Sequence, residues 1–383
     1  MNKEEVRNKF PYLNNGIIYF NHASTGPITS LVVNRLTNLL HEKSESKIDD
    51  YSSFLKIVEE TKLLLAELIN CNVDRTAFID NTSNGLNIIA QSIEWKKGDR
   101  ILLNDIEFPA NVYPFLNLNR FGVEVDFVKS ENGIVTADQI INSIKPETKL
   151  ISVSFVQFLS GYKVDLKKIG NHCRANNIIF CVDGIQGIGA MRLDVKKYKI
   201  DFLSCGTQKW LLGMQGLAFI YVDEELQKKM VPANVGWLSV ENAWNLLDYK
   251  FDLKTSANVF QGGTLNSFGI YAFNTSLKLF KDFGFDNVES EVLSNTKYFI
   301  NKLKSIGLDC VLSDCSDNEL AGIVTIKPQN PEQVFEILGK KKIMCSIREG
   351  FIRFAPHFYN THHEIDKVVE ELQKISISLN KNN

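Results

Sequence analysis

The chain has 383 residues, more than one compact hydrophobic core usually holds, and its 44% hydrophobic and 23% charged residues make an ordinary globular balance. Its net charge of −2 comes without a long block of one sign, which argues against a nucleic-acid surface or a membrane-surface helix. No apolar run is long enough to span a bilayer, and the seven cysteines are scattered, odd in number and free of any Cys-x-x-Cys pair.

The N-terminal stretch MNKEEVRNKFPYL is charged and lacks the apolar segment of a signal peptide, so a cytoplasmic protein is expected. Strand-like runs rich in β-branched and aromatic residues follow at 76–80, 100–104, 123–128, 150–155, 178–183, 202–205 and 217–222. Helical patterns fall between them at 84–93, 110–119, 137–144 and 166–176. This alternation predicts an α/β fold with a mostly parallel seven-stranded sheet sandwiched by helices. From about residue 260 helical patterns dominate, with strand-like runs at 322–326 and 351–354. In the last helix Ile365, Val368, Val369, Leu372 and Ile375 recur at three- and four-residue spacing. The expectation is a large domain over 17–254 and a smaller α+β domain over 255–383, with residues 1–16 packed against the smaller one.

Sheets of this kind bind ligands at the carboxyl ends of their strands, so the residues after each run matter most. The first run leads through Asn81-Thr82-Ser83 into a helix. Thr82 and Ser83 read either as plain N-caps or as an anion site built with free backbone N–H groups. Phe108, after the second run, is either core or one wall of a slot for a planar ligand. Asp183, at the end of an apolar run, is either a turn residue or a buried carboxylate in need of a cation. Lys209, between two strand-like stretches, is either a snorkelling surface lysine or an amine held inside for chemistry. Together, an anion site, an aromatic wall, an acid and an amine suit a flat phosphorylated molecule with a cationic ring. Pyridoxal 5′-phosphate has that description, with its phosphate at Thr82-Ser83, its ring on Phe108 and Asp183, and its aldehyde on Lys209. The six histidines and the cysteines show no metal-ligand spacing, and no metal is expected.

Five motifs occur in order along the chain. They are Tyr19-Phe20-Asn21-His22-Ala23-Ser24-Thr25-Gly26-Pro27, Asp183-Gly184-Ile185-Gln186, Thr207-Gln208-Lys209-Trp210, Gln261-Gly262-Gly263-Thr264-Leu265-Asn266, and Ile352-Arg353-Phe354 with Phe358-Tyr359-Asn360-Thr361. In these the chain resembles the class V aminotransferase superfamily of fold-type I pyridoxal-phosphate enzymes, which includes cysteine desulfurases, kynureninase and isopenicillin N epimerase. The resemblance covers nearly the whole chain. It implies that Lys209 is the Schiff-base lysine and proton shuttle, that Asp183 keeps the pyridinium protonated, that Gln186 touches the ring hydroxyl and that Phe108 stacks on the ring. It implies phosphate contacts from Thr82, Ser83 and Gln208, and from Thr264 across a homodimer interface. It makes Arg353 the clamp for the carboxylate of an amino-acid substrate, with Asn21 and Arg348 as further substrate-binding candidates.

The pattern departs from its relatives at three points. Desulfurases carry a nucleophilic cysteine on a loop shortly after an arginine, whereas Arg348-Glu349-Gly350 here runs almost directly into Phe351-Ile352-Arg353. Cys345 precedes Arg348 and reads as structural. Desulfurases have histidine at the stacking position of Phe108, and many relatives place an asparagine where Phe158 stands beside Gln157. The expected function is therefore a reaction at the α-carbon of a small amino acid, of aminotransferase type. A carbon–sulfur lyase or other β-elimination is the alternative, and a non-catalytic ligand-binding relative the second alternative. Elimination would also need a group to protonate the leaving group; Tyr113, His22, Trp237 and His357 could lie near the site, and the sequence assigns a role to none of them.

Overall fold

The computed structural model describes residues 1–381. A short strand, β1 (Ile18–Tyr19), precedes the seven strands of the main sheet. These are β2 (Thr76–Ile79), β3 (Arg100–Asn104), β4 (Glu124–Val128), β5 (Thr148–Ser154), β6 (Ile179–Asp183), β7 (Phe202–Gly206) and β8 (Ala218–Val222). Their spatial order is β2-β8-β7-β6-β5-β3-β4, and β8 alone runs antiparallel to its neighbours. Every other strand therefore ends at one edge of the sheet.

The apolar runs are continuous because both faces are covered. Ile101, Leu103, Leu150, Cys181, Phe202 and Ile220 point into one core, and Leu102, Ile151, Val153, Phe180, Val182 and Leu203 into the other. This is the two-residue period of a strand read onto two layers of helices. The expected helix at 166–176 spans Leu166–Ala175, and the one at 137–144 spans Ala137–Asn142 behind a Thr136 capping box. The one at 84–93 begins earlier, at Thr82, because the Asn81 side chain accepts from Asn84 N and starts the turn.

The expected helix at 110–119 is not continuous. It breaks into a 3₁₀ turn at Pro109–Asn111, one α turn at Tyr113–Leu116 and a second 3₁₀ stretch at Asn117–Phe121. Pro109 and Pro114 each lack an N–H, and Val112 between them leaves the helical region at φ −123°, ψ −57°. Two long helices, Ser30–Glu45 and Tyr51–Ile69, stand outside the elements expected from sequence. Helix Ser267–Phe283 packs on both of them.

Later in the chain, β9 (Val324–Ile326), β11 (Ser346–Arg348) and β12 (Phe351–Phe354) form an antiparallel sheet in the order β11-β12-β9, while β10 (Ile343–Met344) pairs in parallel with β1. The N-terminal segment is fixed there by more than this pairing. Phe10 stacks on Tyr359 with ring centroids 3.8 Å apart, and Arg7 forms a salt bridge with Glu364. No helix among the described residues is long and apolar enough to cross a membrane.

Phe10 is 1% exposed, so its removal leaves a cavity under Tyr359. Phe10→Ala should lower the unfolding free energy by about 3–5 kcal/mol in urea titrations. A loss below about 1 kcal/mol would mean that the segment contributes little to the fold.

Candidate active site

The carboxyl edge of the sheet collects the groups singled out from sequence. Register places Ser154, Asp183 and Ser204 side by side at the ends of β5, β6 and β7. Asp183 is 2% exposed, and its Oδ1 accepts from Ile185 N at 3.0 Å. Burial raises its proton affinity, the nearby Glu107 raises it further, and Lys209 opposes both. Lys209 lies three residues beyond β7 and is partly buried. Desolvation lowers its proton affinity, with Arg353 and Arg348 acting in the same direction and Asp183 against them. Its Nζ stands 5.7 Å from the centre of the Phe108 ring, which is 44% exposed and meets Phe158 edge-on at 5.4 Å.

The candidate anion site lies at the start of helix Thr82–Ser92. Thr82 is buried, and its Oγ1 has no hydrogen-bond partner among the described residues. A Cβ at Gly206 would sit 3.2 Å from that oxygen and 2.5 Å from Gln208 Oε1, so only glycine leaves this cradle open. Ser83 is partly buried on the same turn, and its carbonyl accepts from Asn87 Nδ2.

Gln186 is buried. Its Nε2 donates to Ala23 O at 2.9 Å and its Oε1 accepts from Trp210 Nε1 at 3.0 Å, leaving one N–H uncommitted. The Asn21–Pro27 motif packs on the lysine loop itself. Gly26 N donates to Gln208 O at 2.7 Å, and a Cβ at Gly26 would lie 2.4 Å from Lys209 O. From the other side His357 Nε2 donates to Trp210 O at 2.8 Å, a direction fixed because Phe358 N donates to its Nδ1.

Arg353 is 2% exposed on β12, with no carboxylate partner among the described residues. It donates to Ser346 Oγ at 3.2 Å, Phe158 O at 2.6 Å and Ser24 Oγ at 3.0 Å, and burial lowers its pKa to about 10. Arg348 is exposed at the tip of the hairpin and shares Ser24 Oγ at 3.4 Å. Asn21 is partly buried, and its Oδ1 lacks a partner among the described residues. Thr264 is exposed and lines a cleft with Asp80, Asn84 and Gln261, separate from the Lys209 cluster.

Of the four side chains without an assigned position, two lie behind the site. His22 Nδ1 donates to Ala355 O and its Nε2 accepts from the Tyr359 hydroxyl, so burial leaves it neutral. His357 is also buried, with its pKa lowered to about 3. Tyr113 is 66% exposed on the rim with Ser83 and Phe108, and Trp237 packs edge-on against Trp244. Cys345 is buried, which pushes its thiol up to about 12. Gln157 is buried, and its Oε1 accepts from Ser160 Oγ.

One residue escaped the sequence reading. Glu107 is buried beside Phe108 and accepts from Asn104, Asn111 and both the N–H and hydroxyl of Ser154. It anchors the turn that presents the Phe108 ring. Its only sequence signal was a second acid at a strand end.

Comparison with known proteins agrees with this geometry. The sequence profile of the family "Aminotransferase class-V" matches residues 18–368. "Uncharacterized aminotransferase YcbU" of Bacillus subtilis is 27% identical, with 96% of this chain and 97% of that protein covered. A "Probable cysteine desulfurase" of Methanothermobacter thermautotrophicus is 28% identical, with 98% of each covered. Among solved structures, the apo cysteine desulfurase from Thermococcus onnurineus NA1 superposes with a TM-score of 0.86 at 22% identity, covering 97% of each chain. A lysine-to-alanine variant of C-DES with glycine covalently linked to its PLP cofactor gives 0.88 at 21% identity, covering 96% of this chain and 98% of that one. Residue arrangement and profile converge: the chain belongs to the class-V aminotransferase family of enzymes, whose cofactor is pyridoxal 5′-phosphate.

Proposed function

We propose that this enzyme acts at the α-carbon of a small amino acid in an aminotransferase-type reaction, with Lys209 as the attachment point of the cofactor and the group that moves the proton. The observation that carries the reading is a partly buried amine beside a buried acid, facing an exposed aromatic ring 5.7 Å away.

The residues present fit the cofactor. The unpartnered Thr82 hydroxyl, Ser83, Gln208 and the free N–H groups of the helix start would hold its phosphate. Phe108 would lie on its ring, Asp183 would meet the ring nitrogen, and the remaining N–H of Gln186 would reach the ring hydroxyl. When bound, the cofactor supplies an electron sink for the charge left at the substrate's α-carbon. Asp183 resists ionising while unpaired, so a cation placed against it is held firmly. The same burial, with two arginines nearby, disfavours the ammonium form of Lys209 and leaves an amine able to accept a proton at Nζ. Arg353 keeps an unused N–H on each terminal nitrogen, a fork suited to the substrate carboxylate.

Transfer requires one base that can move a proton between two carbons, a task for Lys209. Elimination also requires a proton for the leaving group; His22 and His357 are neutral and engaged with Ala355 O, Tyr359 and Trp210 O, which leaves Tyr113 on the rim as the candidate donor. A carbon–sulfur lyase is the second reading, supported by relatives named probable cysteine desulfurases. The hairpin at Glu349-Gly350 pairs Arg348 directly with Phe351, so such a lyase would work without a loop cysteine. The enzyme would act as a homodimer. An exposed apolar run, with Trp244, Leu246, Leu247, Tyr249 and Phe251 between 63% and 88% exposed, supports a covered face, and Thr264 would reach the neighbouring site.

Borohydride reduction of the cofactor-loaded protein should fix the label on Lys209, as read by peptide mapping. Lys209→Ala should lose the label and at least about 10²–10⁴-fold in proton-transfer rate. A label elsewhere, or full turnover, would refute the assignment. With amino acids, a keto acid and the aminated cofactor mean transfer, while pyruvate with ammonia means elimination.

Cofactor uptake by the apoprotein needs a neutral Lys209 and should rise with pH, with a midpoint below the free-lysine range. Asp183→Asn removes a negative neighbour and should move the midpoint down. Arg353→Met removes a positive one and should move it up. A midpoint unmoved in both variants would show that neither group sets the charge on the amine.

A further inference from the structure

Of the nine arginines, Arg7, Arg35, Arg75, Arg100, Arg174 and Arg192 each form a salt bridge, and the Arg120 guanidinium lies 4.7 Å over the Phe121 ring. Arg348 and Arg353 have no carboxylate partner among the described residues, yet they converge on one hydroxyl, Ser24 Oγ. Both charges act on Lys209, so both belong to the electrostatics of the site. Arg348 also depresses the pKa of Arg353, a like-charge repulsion left uncompensated.

One substrate carboxylate does not balance this arrangement. Ser24 Oγ occupies the point where the two guanidinium groups meet, so a single carboxylate cannot take that place between them. Arg353 is buried on its strand with one hydrogen unused on each terminal nitrogen, whereas Arg348 is exposed, with Nε and its remaining hydrogens uncommitted. Two planar forks at different depths match two anionic groups on one molecule.

We propose that the substrate is an amino acid whose side chain carries a second anionic group, with its α-carboxylate on Arg353 and the side-chain anion on Arg348. This rests on the cofactor reading given above. It makes Arg348 the residue that selects the substrate and Ser24 the post that keeps the two arginines apart.

Aspartate and asparagine differ by that one charge at nearly equal size. Titrating the cofactor-loaded enzyme with each and following cofactor absorbance should give a dissociation constant about 10- to 100-fold lower for aspartate. Calorimetry should show the same order for two unreactive probes, succinate binding more tightly than butyrate. Arg348→Gln should abolish both preferences and Arg348→Lys should restore part of them, with cofactor content serving as the check on folding. Equal binding of the charged and neutral members of each pair would overturn the proposal and leave the cofactor reading intact. Failure of the protein to take up cofactor at Lys209 would overturn that reading, and the proposal with it.

Discussion

The structure depends on holding an amine and a carboxylate out of water at the same edge of one sheet. Asp183 and Lys209 each lose hydration; Asp183 offsets part of that cost for Lys209, while Asp183 itself is compensated first by the Ile185 N–H and then by Lys209. Neither is fixed by the other alone. β6 and β7 lie side by side in parallel, so the residues after them emerge together, and register sets the acid between two serines. A one-residue slip of β6 would turn Asp183 to the opposite face. The apolar strands thus do more than supply a core: they fix where two costly charges emerge at the same edge.

The lysine loop is held from outside the sheet. Gly26 and Thr25 reach the Gln208 carbonyl from one side, and His357 holds the Trp210 carbonyl from the other. Trp210 is buried, and its indole N–H is spent on Gln186. Leu212, two residues further, sits at φ +54°, a left-handed conformation that costs a branched side chain energy and persists because its surroundings impose it. Its carbonyl accepts from Ser276 Oγ. The two buried histidines therefore serve geometry: burial keeps both neutral, and each ring nitrogen has a defined partner.

Much of the fold was legible because burial on both faces makes strands read as unbroken apolar runs. All seven strands of the main sheet fall within two residues of their expected bounds. The expected helix at 110–119 failed because two prolines outweighed its periodicity. Helix Ser30–Glu45 was silent because it buries little beyond Val32 and Leu39 and reads as mostly polar. The gathering of Lys209, Asp183 and Thr82 at one edge was readable because strand ends in a parallel sheet share that edge. Glu107 was not, because four hydrogen bonds justify its burial and none of their donors forms a sequence motif. The depth of Gln186 was equally hidden, since Ala23 and Trp210 reach it from distant parts of the chain.

The pairing of β1 with β10 and of Ser24 with Arg353 joins segments more than 300 positions apart. During synthesis the parallel sheet can form once its strands have left the ribosome, yet the lysine loop lacks its His357 support until the final helix is near. A nascent chain thus holds the strands of the sheet before it holds every contact that supports the loop carrying Lys209.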